Sequence, residues 1–242
     1  MRALSQADCV ALWESGQALH PLDQGLLAIQ TAFPETRGES LADWPLGRKN
    51  RALAELRCSC FGRWLRGWTG CDSCGEKIEF AVDGEAISRG ATPESQTTVQ
   101  VGNRTFRLPT TRDLAKIAFE TDSSLAASRL LEMLCVLPSA EGEQATGLSP
   151  RSSNEELDAA GEKLAEADPL TEILVHFDCP ACSHSFDQAL DLTQFLWSEI
   201  EGRAKRLLLD VCTLAGSFGW SERDILSMST TRRDFYLQMV RG

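Results

Sequence analysis

Two stretches decide the fold: Cys71-Asp72-Ser73-Cys74-Gly75-Glu76-Lys77-Ile78-Glu79-Phe80-Ala81-Val82-Asp83, and Cys179-Pro180-Ala181-Cys182-Ser183-His184-Ser185-Phe186-Asp187-Gln188-Ala189-Leu190-Asp191. In each, a Cys-x-x-Cys pair is followed at equal offsets by an apolar residue (Ile78, Phe186), an alanine (Ala81, Ala189), a second apolar residue (Val82, Leu190) and an aspartate (Asp83, Asp191). The two stretches are an internal repeat. Two thiolates three residues apart on a tight hairpin can take adjacent corners of a tetrahedron, about 2.3 Å from a metal, and two such knuckles complete the four corners. The spacing thus predicts one structural zinc ion (Zn2+) held by Cys71, Cys74, Cys179 and Cys182. Between the pairs lie 104 residues, against about 15–20 in a compact ribbon. The intervening chain is an insertion, and the ribbon is split.

Other readings of the pairs stand beside this one. A Cys-x-x-Cys pair can be a disulfide or a thiol-exchange site, although such sites open a helix after a buried strand, and neither pair is predicted to do so. Knuckles can also be degenerate and bare. A catalytic metal keeps one coordination position open, which four thiolates do not leave. His176 and His184 flank the second knuckle and read as a strand residue and a knuckle-turn residue. Cys179-Pro180-Ala181-Cys182 matches half of a zinc-deaminase motif, but the His-x-Glu partner upstream is missing.

Outward from the knuckles, Trp64, Leu65 and Trp68 lead into Cys71, and Ile78, Phe80 and Val82 alternate after Cys74, which is a strand, a knuckle and a strand. Ile173, Val175 and Phe177 lead likewise into Cys179. A further hairpin carries Val99 and Val101, a Gly102-Asn103 turn, then Phe106 and Leu108. The rest reads as helix. Ser5 caps a first helix with Ala7, Ala11 and Leu12, and Pro21 opens a second that Pro34 ends. A third covers about 47–60, with Leu53 and Leu56 inward and Arg48, Lys49 and Arg51 toward solvent. Thr110 or Thr111 caps a helix near 111, with Asp113 at its positive end. Residues 123–136 and a surface helix over 154–167 flank a Ser/Gly/Glu/Pro-rich stretch, read as a mobile loop over 138–153. A long helix over 192–217 stops at Gly219; Ser221 caps a short helix and Thr230 or Thr231 starts the last.

The expected class is α+β: mainly helical, with two β-hairpin zinc knuckles forming a split zinc ribbon and a further central β-hairpin. The organisation is an N-terminal helical segment (1–62), the first knuckle and hairpin (63–108), a helical insertion with its mobile loop (109–170), the second knuckle (171–191) and C-terminal helices (192–242).

Composition bounds the function. A formal charge of −11, from 24 basic and 35 acidic residues, repels a phosphate backbone and argues against nucleic acid as a partner. No run reaches the ~18 apolar residues of a membrane span, and the N-terminus lacks the apolar core of a signal peptide, so a cytoplasmic protein without membrane contact is expected. Nine cysteines in a reducing compartment read as metal ligands and buried thiols. Cys58 and Cys60 read as ordinary thiols, and Cys9, Cys135 and Cys212 as core residues in helices. No nucleophile elbow, phosphate loop or dinucleotide fingerprint is present, so neither an enzyme nor a small-molecule substrate is expected. Six tryptophans, Trp13, Trp44, Trp64, Trp68, Trp197 and Trp220, divide between core and candidate anchors at a protein interface.

Four further segments carry a resemblance. Leu12-Trp13-Glu14-x-Gly16, Asp43-Trp44-Pro45-Leu46-Gly47-Arg48, Phe106-Arg107-Leu108-Pro109-Thr110-Thr111-Arg112-Asp113-Leu114 and Gly219-Trp220-Ser221-Glu222-x-x-Ile225-Leu226 resemble, in kind and order, baseplate hub assembly chaperones of contractile-tailed phages and phage-tail-like contractile injection systems. The resemblance implies a non-enzymatic assembly factor or baseplate component whose partners are baseplate or hub and spike proteins. It carries over no catalytic residue and does not supply the zinc ligands, which rest on spacing. Contacts are expected on helix 192–217 and the helices after Trp220. The alternative is a zinc-ribbon regulator binding nucleic acid or a transcription partner, for which Arg203, Lys205, Arg206, Arg232 and Arg233 would have to supply the basic surface.

Overall fold

The computed structural model describes residues 1–36, 40–90, 98–136 and 154–241. The described chain is mainly helical with three small sheets, an α+β arrangement. It divides into two units that interleave in sequence: Met1–Glu39, Leu53–Trp64 and Asp191–Gly242 in one, Ser40–Ala52 and Leu65–Leu190 in the other.

The first unit is helical. Helix α1 (Gln6–Gly16) starts at Ser5, whose hydroxyl accepts the Asp8 amide while the Asp8 carboxylate accepts the Ser5 amide, so two end groups are satisfied reciprocally. Helix α2 (Pro21–Ala32) begins with proline at its first position, where no amide is needed. Both pack on α8 (Leu192–Phe218). Gly16 and Gly25 make that packing close: a side chain on Gly16 would enter the Trp197 ring, and one on Gly25 would press on Thr193. Along α8, Leu192, Leu196, Ile200, Ala204, Leu207 and Leu214 are buried on one stripe, the helical period doing the sorting. Gly219, at φ +68°, ends the helix in the left-handed conformation that glycine adopts without strain. Helices α9 (Glu222–Ser227) and α10 (Thr230–Arg241) fold back on α8, and Leu214, Ile225 and Leu237 form the core there.

The second unit carries the sheets. Strands β1 (Trp64–Gly70) and β2 (Lys77–Asp83) pair, as do β6 (Leu174–Asp178) and β7 (Ser185–Ala189). Strands β3 (Thr98–Val101) and β4 (Arg104–Arg107) form the expected hairpin around Gly102, and β5 (Cys135–Val136) adds a third strand beside β4. Helices α6 (Ser123–Leu134) and α7 (Asn154–Ala167) pack on this sheet, burying Leu131, Leu134, Ala160 and Leu164 with Val99, Phe106 and Leu108. Helix α5 (Thr111–Ile117) starts at Thr110. The short α4 (Gly84–Arg89) follows β2. Helix α3 (Leu46–Phe61) belongs to the second unit at its start and to the first at its end.

Several expectations are corrected. Lys49 is buried, 5% exposed, because it recurs with Leu46, Leu53 and Leu56 at helical spacing and shares their face. Cys135 lies in β5 and is half-buried rather than helical core. Cys212 is exposed: two residues before the buried Leu214, it stands about 200° around the helix from it. Helix α7 is not a surface helix throughout, since Ala160 and Leu164 are buried. The loop expected over 138–153 lies outside the described residues.

Candidate metal centre

Each cysteine pair sits on a hairpin turn built the same way. In the first, the Cys71 amide donates to the Glu76 carbonyl at 2.9 Å and the Gly75 amide to the Cys71 carbonyl at 2.8 Å. In the second, Cys179 donates to His184 and Ser183 to Cys179, both at 2.9 Å. Shifting the first set by 108 residues gives the second. The residue after each second cysteine has positive φ, +74° at Gly75 and +56° at Ser183. Glycine reaches that region freely and serine with strain. The repeat continues to the helix caps: Asp83 accepts the Glu85 amide at the start of α4, and Asp191 accepts the Thr193 and Gln194 amides at the start of α8. The repeated aspartate is thus an N-cap in both copies.

The four sulfurs converge. The Sγ atoms of Cys71, Cys74, Cys179 and Cys182 all lie within 4.8 Å of one another. Cys71 is 3.7 Å from Cys182, and Cys74 is 3.6 Å from Cys179. These separations are far beyond a disulfide bond of about 2.05 Å. They match the edge of about 3.8 Å that a tetrahedron with metal–sulfur bonds of about 2.3 Å requires. Both pairings cross between the hairpins and are reciprocal: the first cysteine of each pair meets the second of the other. Neighbouring side chains follow the same rule, since Thr69 donates to Gln188 while Phe177 packs edge-on against Phe80, ring centres 5.6 Å apart, and each contact maps onto the other under the 108-residue shift. The hairpins meet as two halves related by a local two-fold, each presenting the same surface to the other.

The local electrostatics set the four thiols apart from one another. At Cys179, burial opposes ionisation, but the amides of Cys182 and Ala181 and the thiols of Cys182 and Cys74 donate to the sulfur and bring it down to about 7. At Cys74 the Glu76 amide favours the thiolate, yet the bonds to Cys182, desolvation and the bonds to Cys179 and Cys71 outweigh it and push the group up to about 12. One sulfur ionises at the expense of another, because like charges this close cannot all form without a cation between them. A tetrahedral set of four thiolates suits zinc or iron. Cys71 and Cys179 are buried, while Cys74 and Cys182 are on the exposed side.

The histidines stay apart from the cluster. His176 Nδ1 lies 2.8 Å from Asp187 Oδ1, and that hydrogen bond, joined by Asp178, raises its pKa. His184 stacks on Phe186 with centroids 5.8 Å apart. Cys58 and Cys60 remain on α3, where Cys60 Sγ accepts the Leu4 amide. The sequence reading missed the supports of the site, namely the left-handed Gly75 and Ser183, the two caps, and the Thr69–Gln188 and Phe80–Phe177 contacts. Only Gly75, directly after Cys74, advertised its role.

Fold and site together define a helix-rich α+β protein with a four-cysteine cluster able to hold one metal ion. No protein-family model matches the chain, and comparison with curated proteins and with solved structures gave no match. Among the described residues, no helix is long and apolar enough to cross a membrane.

Proposed function

We propose that this chain is a non-enzymatic assembly factor or structural component of the baseplate of a contractile phage tail or phage-tail-like injection particle, clasped by one structural zinc ion in a split zinc ribbon. The observation that supports the non-enzymatic part is the cluster itself: four cysteine sulfurs within 4.8 Å of one another would complete the coordination of one ion and leave no position for water or substrate. Zinc suits the set because it accepts four thiolates without redox change. Binding free energy of a structural zinc, on the order of 10 kcal/mol, appears as folding free energy when the ligands are otherwise far apart in the chain.

The baseplate part rests on the resembling segments, and these fall where the fold is anchored. Gly16 seats Trp197, Trp44 is buried beneath the Arg48 guanidinium at 3.6 Å, Asp113 ties Thr110 to Arg107, and Gly219 with Ser221 turns α8 into α9. Exposed Trp68, Leu209, Phe235 and Met239 give the surface side chains of the kind that anchor protein contacts.

Deleting the gene in a cell that produces such particles tests the proposal. The expected result by electron microscopy is tubes and sheaths without baseplates, restored by the wild-type gene. Normal particles in the deletion strain would overturn it. The regulator reading keeps one supporting observation, Trp68 exposed beside Arg66 on β1 with Lys77 4.8 Å over its ring. It loses basic surface elsewhere, since Arg233 is buried against Asp210 and Lys205 is paired with Glu201. Salt-sensitive binding of a DNA oligonucleotide would favour it.

A further inference from the structure

The first unit contains a groove of about 540 Å³ between α8, α10 and the end of α3. Its polar lining runs against the character of the chain. Arg203, Arg206, Arg233 and Arg241 face Asp210 and Asp234 there, while the whole protein carries −11. Two of the arginines are fixed. Arg233 is buried, donating to Asp210 at 3.0 Å and to Gln6. Arg203 donates to the Cys60 carbonyl at 3.2 Å and lies over the Phe61 ring. Arg206 and Arg241 are exposed, and four arginines against Asp210 and Asp234 leave the groove a surplus of positive charge.

Apart from Thr230, the remainder of the lining is apolar. Leu237 and Leu207 form the floor and Leu209 stands 68% exposed at the edge. On α10, Thr230, Asp234, Leu237 and Arg241 recur at intervals of four, three and four residues, so one helical face runs along the groove for about 16 Å.

We infer that this groove docks an acidic amphipathic helix of a partner protein, its leucine-like face on exposed Leu209 and its carboxylates on Arg206, Arg241 and Arg203. The charge surplus selects the sign of the occupant, and the exposed Leu209 at the edge suits a peptide helix with one apolar face to bury. A nucleic-acid strand is the competing anionic occupant, and the test below separates it from the peptide. Arginine suits the role, since its planar fork meets a carboxylate through two hydrogen bonds. This docking goes beyond the baseplate reading and does not depend on it.

The test is fluorescence anisotropy with the full-length protein and a labelled synthetic peptide of about fifteen residues, the length at which an isolated helix becomes viable. Leucines line one face of the peptide and glutamates the other; a control peptide replaces glutamate with lysine. The expected result is saturable binding of the glutamate peptide, weakened by added salt and reduced about tenfold or more in an Arg206→Glu/Arg241→Glu variant, with the lysine peptide inert. Both sites are exposed, so an unchanged circular dichroism melt certifies the fold of the variant. Absent binding, or binding that the double variant leaves intact, overturns the inference. So does a single-stranded DNA oligonucleotide that outcompetes the peptide, or self-association by sedimentation that the double variant abolishes and the peptide cannot displace. None of these outcomes touches the particle phenotype, which reads the baseplate proposal separately.

Discussion

Cys71 Sγ lies 3.7 Å from Cys182 Sγ although 110 residues separate them in the chain, and its reciprocal pair, Cys74 and Cys179, meets at 3.6 Å. Thiols at these distances share no covalent bond, so under the zinc proposal a closure of this length stabilises the fold only through the cation. The purified protein is therefore expected to contain one zinc per chain by elemental analysis. Cys179→Ser is expected to abolish that zinc and lower the melting temperature by more than ten degrees, given a site of the order of several kcal/mol and roughly 2–4 °C per kcal/mol in a chain of this size. Zinc-free protein that melts as the wild type does would remove the clasp.

The site was largely legible because it depends on a repeat. Paired cysteines at equal offsets from Asp83 and Asp191 imply equal local geometry, and four thiolates need one another's company around a metal. Two helix starts were legible for a similarly local reason: Ser5 and Ser221 each satisfy the amide three residues on. What escaped was non-local. Cys135 and Val136 carry no strand signal, and they pair only because α6 delivers them beside Thr105 and Phe106. Lys49 was assigned to solvent by its charge, although its position on α3 places it with the buried leucines. The reciprocal packing of the two hairpins, with Thr69 on Gln188 and Phe80 on Phe177, could not be foreseen from either hairpin alone.

The start of α3 depends on a carboxylate from far along the chain. Asp168, 1% exposed, accepts the Gly47 amide at 2.9 Å, and a side chain at Gly47 would collide with that carboxylate. Gly47→Ala is thus expected to cost about 2 kcal/mol or more through displacement of a buried polar side chain, whereas Asp168→Ala costs about 1–2 kcal/mol as a lost cap. Urea denaturation of both variants checks the order; an alanine at 47 tolerated without loss would show that the two do not press on each other.

Arg57 is held in the first unit by Glu199 in a two-bond fork, Nε to Oε2 at 2.9 Å and Nη2 to Oε1 at 2.7 Å, with a third bond to the Gly62 carbonyl at 2.6 Å. Its side chain is 4% exposed and that of Glu199 25%. Removing the carboxylate strands a buried guanidinium, so Glu199→Ala is expected to destabilise by about 3 kcal/mol, and the double change to Arg57→Met with Glu199→Leu by less than that. Thermal melts of the wild type and the two variants decide it, and a double variant less stable than Glu199→Ala would contradict direct coupling.

Acid should loosen the fold in a defined window. The Asp8 carboxyl is lowered to about 2, first by its hydrogen bonds from Arg2 and then, against some desolvation, by those from Ser5. Asp113 is also lowered: burial acts to raise it, but Arg107 and Thr110 together outweigh that with four hydrogen bonds. An unfolded aspartate titrates near ~3.9. A folded-state value below that means the unfolded chain takes up protons first, so the stabilisation is complete above about pH 4 and fades as pH falls toward the folded value. Melting temperature followed from pH 6 down to about pH 2 should therefore drop for the wild type, and drop less steeply between about pH 4 and 2 in Asp8→Asn and Asp113→Asn, which start lower. Thiolate protonation would also release an ion held at the cysteines, but equally in all three proteins, and the difference between their curves isolates the carboxylates. Parallel curves would mean that neither aspartate contributes through its charge.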